Sequence, residues 1–99
     1  MRKMTRKPTS PGEMLSEEFL KPLQLTQRKF ADHIGVEVKT INRIVNEHQT
    51  LTPELAAKFA AAFSMSVEFW LNLQMSLDIW NLAKRHPSLP KPLIKSRAS

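Results

Sequence analysis

The chain has 99 residues, a net charge of +6 and no cysteine, so it can build one modest core but no disulfide framework and no thiolate chemistry. No apolar run approaches the ~20 residues that a membrane span needs, and the N-terminus lacks the apolar segment of a signal peptide, so we expect a cytoplasmic protein that does not enter membranes. The charge lies at the ends. Residues 1–10 and 84–99 carry nine basic and no acidic residues, whereas residues 11–83 carry six basic and nine acidic ones. Such basic tails either contact nucleic-acid phosphates or an acidic partner, or are simply solvated.

The first two predicted helices lie between residues 11 and 34. Pro11 and Gly12 are expected to end the N-terminal tail, apolar residues then recur at helical spacing, and Pro22 ends or bends the first helix. Thr26 is the expected N-cap of the second helix, because its hydroxyl can accept an unpaired backbone N–H. The inner face of that helix is predicted to contain Phe30, Ala31 and Ile34.

Three further helices follow Gly35, and no strand pattern is found. The third is short, the fourth begins with Thr52 as N-cap and Pro53 in the first turn, and a long fifth helix runs from Ser66 until Pro87 stops it. We therefore predict an all-α domain. Residues 11–86 form this domain with its long C-terminal helix, residues 1–10 form a basic N-terminal tail, and residues 87–99 form a basic, proline-containing tail. Both tails are expected to be disordered.

The spacing around Gly35 is that of a DNA-binding helix-turn-helix. With Gln27 as the first position, small Ala31 is fifth and Gly35 ninth, and the apolar positions that pack such a motif hold Phe30, Ile34, Val36, Ile41 and Ile44. Ala31 must be small because the second helix of the motif crosses close to it, and Gly35 supplies the left-handed backbone of the turn. The apolar positions fix the crossing of the two helices.

The second helix of such a motif enters the major groove of DNA with its N-terminal residues. Its predicted outward residues are Val38, Lys39, Thr40, Asn42 and Arg43. Lys39 and Arg43 can donate to guanine N7 and O6, Asn42 can contact adenine, and Val38 or Thr40 can touch a thymine methyl. The alternative is that these cations are ordinary solvated surface.

The first helix of the motif supplies three further candidates. Gln27 suits a phosphate or base contact, and Thr26 and Arg28 beside it suit phosphates. Glu37 argues mildly against DNA, since phosphates repel a carboxylate, but it can serve as the N-cap of the following helix.

On a helical wheel, the apolar residues of the last helix form two stripes. One stripe contains Phe69, Trp70, Leu73, Leu77 and Trp80; the other, called here the outer stripe, contains Val67, Leu71, Met75, Ile79 and Leu82, and the sequence leaves open which of the two forms an interface. Polar residues, Gln74 among them, are expected to separate the two stripes. A terminal helix needs only one buried stripe, so we predict a two-fold dimer through this helix, with Leu71, Met75, Ile79, Leu82 and Trp80 as candidate interface residues. The alternative is that the first helix or a folded-back tail covers the outer stripe.

The segments "PGEMLSEEFLKPLQLTQRKFADHIGVEVKTINRIVN" and "LTPELAAKFAAAFSMSVEFWLNLQ" resemble HigA-type antitoxins, also called virulence-associated protein I, of the Xre/Cro-like class. The similarity runs from Pro11 to about Leu82. Its specific parts are the opening "PGE-L-EEFL-PL" and the closing "FWLNLQ", which generic Cro-like domains lack. The resemblance implies a compact, five-helix Cro/lambda-repressor-like domain.

It also implies a homodimeric repressor that binds a palindromic operator in double-stranded DNA and neutralises a HigB-type toxin, a ribosome-dependent mRNA endonuclease. By that analogy Gln27, Lys39, Thr40 and Arg43 carry the DNA contacts. One departure stands out: family members often have glycine directly after the recognition helix, where this chain has "NEHQT". Asn46 is the residue there most able to adopt a left-handed conformation.

Two other functions stay open on the sequence alone. One is a stand-alone repressor without a toxin partner, and the other is a protein-interaction module that has lost DNA binding, which the acidic middle and Glu37 favour. An enzyme is not expected, because no "GxSxG" or phosphate-binding loop is present. The three histidines, His33, His48 and His86, lie too far apart to suggest a metal site. We expect no cofactor and no small-molecule substrate.

Overall fold

The computed structural model describes residues 6–94, and within them the chain forms five helices and no strand. The elements are α1 (Pro11–Met14), which continues as a π-helical segment (Leu15–Leu20), α2 (Gln27–Ile34), α3 (Val38–Val45), α4 (Pro53–Phe63) and α5 (Val67–Arg85). This confirms the predicted all-α, five-helix class. The predicted disorder of the tails falls in part on residues 1–5 and 95–99, which lie outside the described residues.

Four helices begin after a serine or threonine whose side-chain oxygen accepts a backbone N–H three residues further on, which satisfies one of the unpaired donors of the first turn. These N-caps are Ser10, Thr26, Thr52 and Ser66, with N···O distances of 3.0, 3.1, 3.3 and 3.0 Å. The predicted roles of Thr26, Thr52 and Ser66 are thereby confirmed.

The start of α1 differs from the prediction. Pro11 and Gly12 do not end the tail but form the first turn of the helix, and the N-cap before them, Ser10, is buried. Gly12 lies against the end of α3 so closely that a Cβ built on it would be 2.2 Å from the Ile44 carbonyl oxygen and 2.5 Å from Val45 Cα. Two helix backbones therefore meet at Gly12, and only glycine permits that approach.

Aromatic rings link the first helix to α2, α4 and α5 in the core. Phe30, Phe59 and Trp70 are buried, with Phe59 edge-on to both Phe30 at 5.3 Å and Trp70 at 5.2 Å. Phe63 stacks on Phe30 at 5.2 Å and on Phe19 at 4.2 Å. Offset and edge-on pairs of this kind add to the stabilisation that burial of the rings already gives.

Gln74 does not separate two stripes on the surface of α5, as its polarity had suggested. It is buried, and its Oε1 accepts the backbone N–H of Leu51 at 2.9 Å while its Nε2 donates to Asp78 Oδ1 at 2.9 Å. A polar side chain is tolerated inside when its groups are paired in this way. Gln74 thus fixes the segment before α4 to α5.

Between residues 6 and 94, no helix has the length and apolar character required to cross a bilayer.

Candidate nucleic-acid interface

Helices α2 and α3 form the predicted helix-turn-helix. Gly35 ends α2 in the left-handed conformation, with φ 75° and ψ 36°. Its N–H donates to the Asp32 carbonyl at 3.3 Å, and the next N–H, of Val36, donates to the Ala31 carbonyl at 2.9 Å. Ala31 is completely buried, as its predicted position under the crossing helix requires. The structure therefore confirms the turn and its two small residues.

Helix α3, the recognition helix, is anchored by one apolar face. Ile41 and Ile44 are buried, and Glu37 occupies the N-cap position without a side-chain hydrogen bond to the helix. At the other end Asn46 has φ −94°, and the left-handed residue is Glu47, with φ 59°. The chain therefore turns left-handed one residue after Asn46, whose backbone N–H still donates to the Asn42 carbonyl at 3.1 Å.

The opposite face of α3 presents three of the five predicted residues to solvent. Lys39, Asn42 and Arg43 are exposed, and neither cation enters an ion pair within residues 6–94. Thr40 is half-buried. Val38 corrects the prediction, because it is half-buried and packs against the core instead of pointing outward. Its spacing from Ile41, three residues, puts it on the apolar face of α3.

The N-terminus of α2 lies beside this face. Thr26 and Arg28 are exposed, although the Thr26 oxygen already serves as the N-cap acceptor. Gln27 is half-buried, and its Oε1 accepts from Asn42 Nδ2 at 3.3 Å, which joins the two helices of the motif. Since its oxygen is occupied, the free end of Gln27 is an amide nitrogen, the group that suits an anionic phosphate.

Asn46 extends the contact between Gln27 and Asn42, a role that the sequence analysis did not predict. Its Nδ2 donates to the Asn42 backbone carbonyl at 3.0 Å and to Asn42 Oδ1 at 3.3 Å. Gln27, Asn42 and Asn46 thus form a continuous row of hydrogen-bonded amides on the surface, called here the amide chain. The spacing of Asn42 and Asn46, four residues apart on one helix, was the signal that could have revealed half of it.

The basic N-terminal segment reaches the same end of α3. Lys7 Nζ donates to both carboxylate oxygens of Glu47, at 2.8 and 2.9 Å, and both side chains stay partly exposed. An exposed pair of this kind contributes little to stability. It does neutralise Glu47, the acidic residue at the end of the recognition helix, and so lowers the repulsion that phosphates there would meet.

Helix α5 leaves part of its outer stripe uncovered. Leu71 is half-buried and packs against the core, so the expectation that this stripe has no partner within the chain was wrong at its N-terminal end. Farther along, Ile79 and Trp80 are half-buried, and Met75 and Leu82 are exposed by 58% and 42%. The uncovered apolar surface is therefore the C-terminal half of α5.

Comparison with known proteins agrees with this geometry. The family model described as "Helix-turn-helix" matches residues 17–70. A protein of Haemophilus influenzae described as an uncharacterized HTH-type transcriptional regulator is 49% identical over 79 residues, which cover 80% of this chain and 74% of that protein. Antitoxin HigA-1 of Vibrio cholerae is 40% identical over 99 residues, which cover 97% of this chain and 93% of that protein.

A solved structure extends the similarity to three dimensions. The structure described as Pseudomonas aeruginosa antitoxin HigA with the higBA promoter has a TM-score of 0.78 and 28% identity, and the match covers 89% of this chain and all of that one. Fold, motif and relatives agree with the resemblance drawn from the sequence. The chain belongs to the HigA-type helix-turn-helix family, a class of regulators and not of enzymes.

Proposed function

We propose that this protein is a sequence-specific DNA-binding antitoxin of a HigBA-type module, which represses its own operon and neutralises an mRNA-cleaving toxin. The observation that carries DNA binding is the exposed face of α3, where Lys39, Asn42 and Arg43 project beside the N-terminus of α2. Lysine and arginine donate to guanine and phosphates, and asparagine complements adenine. The proposed DNA contacts are made by Thr26, Gln27, Arg28, Lys39, Thr40, Asn42 and Arg43; Val38 is left out because it packs against the core.

The antitoxin role is supported by the extent of the similarity. The match to antitoxin HigA-1 covers nearly the whole of both chains, so it includes α1 and α5 as well as the helix-turn-helix. Since the protein would act on an operator and on an mRNA-cleaving toxin, we propose that it is cytoplasmic. Its partners in this proposal are a palindromic operator in double-stranded DNA and a HigB-type toxin.

A second candidate is a stand-alone transcriptional regulator without a toxin. The relative from Haemophilus influenzae, 49% identical, agrees with it, since that protein is described as an uncharacterized HTH-type transcriptional regulator. The two candidates differ in gene neighbourhood. A small basic reading frame directly beside this gene supports the antitoxin, and its absence supports the regulator.

We further propose a two-fold dimer formed through the C-terminal half of α5. Met75 and Leu82 are exposed there, next to half-buried Ile79 and Trp80. A palindromic site requires two recognition helices about one DNA turn, or roughly 34 Å, apart, and a two-fold dimer is the assembly that can supply them. Light scattering should give a dimer at micromolar concentration, and Leu82→Glu should give a monomer, whereas Leu23→Glu, at an exposed leucine outside α5, should not. A monomeric wild-type protein that binds a full palindrome cooperatively would refute this assembly.

The decisive experiment for the function is a gel shift on the DNA upstream of the gene, with and without the adjacent small protein. Specific retention that survives excess random duplex supports repression, and a further shift with the small protein supports the antitoxin. Co-expression then checks neutralisation, since growth arrest by the small protein should be relieved by this chain. Retention without any effect of the small protein leaves the stand-alone regulator, and no retention at all rejects DNA binding.

A further inference from the structure

We propose that the amide chain holds the Asn42 side chain in one orientation and so makes it specific for adenine, with Asn46 as the residue that positions it. The inference rests on the proposed DNA-binding function and adds to it a base identity and a mechanism of discrimination. The three amides are joined by hydrogen bonds of 3.3 Å from Asn42 to Gln27, and of 3.0 and 3.3 Å from Asn46 to Asn42.

The orientation follows from a backbone group that can only accept. Asn46 Nδ2 donates to the carbonyl oxygen of Asn42 at 3.0 Å, so the nitrogen of Asn46 must face Asn42. The same nitrogen then donates to Asn42 Oδ1 at 3.3 Å, which turns the oxygen of Asn42 toward Asn46 and its nitrogen toward Gln27 Oε1. A rotated Asn42 amide would place nitrogen against nitrogen at the Asn46 contact and oxygen against oxygen at the Gln27 contact. One orientation is therefore favoured before DNA arrives.

The bonds that Asn42 makes determine what it has left for a base. An asparagine amide has two N–H donors and an oxygen with two lone pairs. Gln27 takes one donor, and Asn46 takes one lone pair. One N–H and one lone pair stay free on an exposed side chain of the recognition helix.

Only one base uses both free groups at its major-groove edge. Adenine offers the N7 acceptor and the N6 amino donor, which match the N–H and the lone pair. Guanine offers two acceptors, N7 and O6, and Asn42 has only one N–H left for them. Cytosine offers a donor alone and thymine an acceptor alone. A freely rotating amide with two N–H groups available would discriminate less well against guanine.

The test is selection of binding sites from randomised duplexes by the full chain, followed by affinity measurement on the selected operator. We expect a position in each half-site at which the wild-type protein prefers adenine to guanine by about 5- to 150-fold. Asn42→Ala should abolish that preference at that position alone. Replacing the adenine by 7-deaza-adenine, which lacks N7, or by purine, which lacks the amino group, should weaken the wild-type protein but not Asn42→Ala.

The positioning role has its own readout, the ratio of adenine to guanine affinity at that position. Asn46→Ala and Asn46→Asp both remove the donor to Asn42 and should lower this ratio, although Asn42 itself is unchanged. The ratio cancels any general loss of affinity or stability, and Asn72→Ala, an exposed asparagine on α5, is the matched control that should leave it unchanged.

The outcomes separate the inference from the function on which it rests. If the wild-type protein selects an operator but Asn42→Ala removes no adenine preference, or if both Asn46 variants keep the wild-type ratio, the inference is wrong and DNA recognition stands. If the wild-type protein selects no sequence at all, the proposed function fails and the inference fails with it.

Discussion

Gly12→Ala tests the contact between α1 and the recognition helix. The added Cβ would lie 2.2 Å from the Ile44 carbonyl oxygen, 2.5 Å from Val45 Cα and 2.8 Å from the Ile44 carbonyl carbon, whereas ordinary contacts begin at 3.4 Å. All three neighbours are backbone atoms, so no side-chain rotation relieves the overlap. Helix α1 must therefore move away from α3 by about 1 Å, or α3 must move with it.

The change in the free energy of unfolding of Gly12→Ala is the sum of two opposing effects. Overpacking of this kind costs about 1–3 kcal/mol, and an overlap with backbone belongs at the upper end of that range. In the opposite direction, alanine stabilises a helix by up to about 1 kcal/mol relative to glycine. We expect a net loss near 2 kcal/mol, which for a domain of this size lowers Tm by about 8–16 °C. Operator affinity should fall as well, because Ile44 and Val45 belong to α3.

Thermal melting followed by circular dichroism, together with operator binding well below the variant's Tm, measures both effects. Gly35→Ala is the matched control, because a Cβ there meets nothing within 4 Å and the cost comes only from the left-handed φ of 75°, about 1–2 kcal/mol. Gly12→Ala should therefore be at least as destabilising as the control. A Gly12→Ala protein with wild-type Tm and wild-type affinity would refute the view that this contact fixes the recognition helix.

Three further predictions concern the motif and its support. Lys39→Ala and Arg43→Ala should each weaken operator binding by about 1–3 kcal/mol if they make bidentate base contacts, without changing the melting curve; unchanged affinity in both would reject this face of α3. Gly35→Val should destabilise the whole domain, because a β-branched residue at positive φ is a steric outlier, and a normal Tm would contradict the account of the turn. Gln74→Leu should lower the denaturant midpoint by an amount equivalent to about 1–3 kcal/mol, since the buried N–H of Leu51 loses its acceptor; an equal midpoint would contradict the role given to Gln74.

The helix-turn-helix could be predicted from the sequence because its determinants are local. Ala31 and Gly35 stand four residues apart, and the burial of the first and the left-handed φ of the second follow from rules that hold for short segments. Gly12 and Gln74 could not be predicted in the same way. The role of Gly12 depends on Ile44, which is 32 residues away, and the role of Gln74 depends on Leu51, which is 23 residues away. No periodicity reveals contacts over such separations.

In the candidate site, too, local features could be predicted from the sequence and contacts between helices could not. Exposure of Lys39 and Arg43 followed from helical periodicity, because apolar Ile41 and Ile44 fix which face of α3 is buried. Val38 stands three residues before Ile41 and seven before Val45, the spacing of one helix face, so the same periodicity accounts for its inward packing and the outward assignment was wrong. Hydrogen bonds between side chains on different helices depend on the crossing angle, so the contact from Gln27 to Asn42 also required the structure.

The recognition helix is held at both ends by contacts that lie outside its exposed face. Gly35 sets its entry from α2, and Gly12 brings the backbone of α1 against its last turn. Lys7 pairs with Glu47 just beyond it. Because the contacts at Gly35 and Gly12 fix the position of the helix through its backbone, the exposed residues between them are free to differ without loss of the fold. Specificity is thereby separated from stability, and within that exposed face the amide chain adds the one restraint that acts on a side chain instead of on the helix.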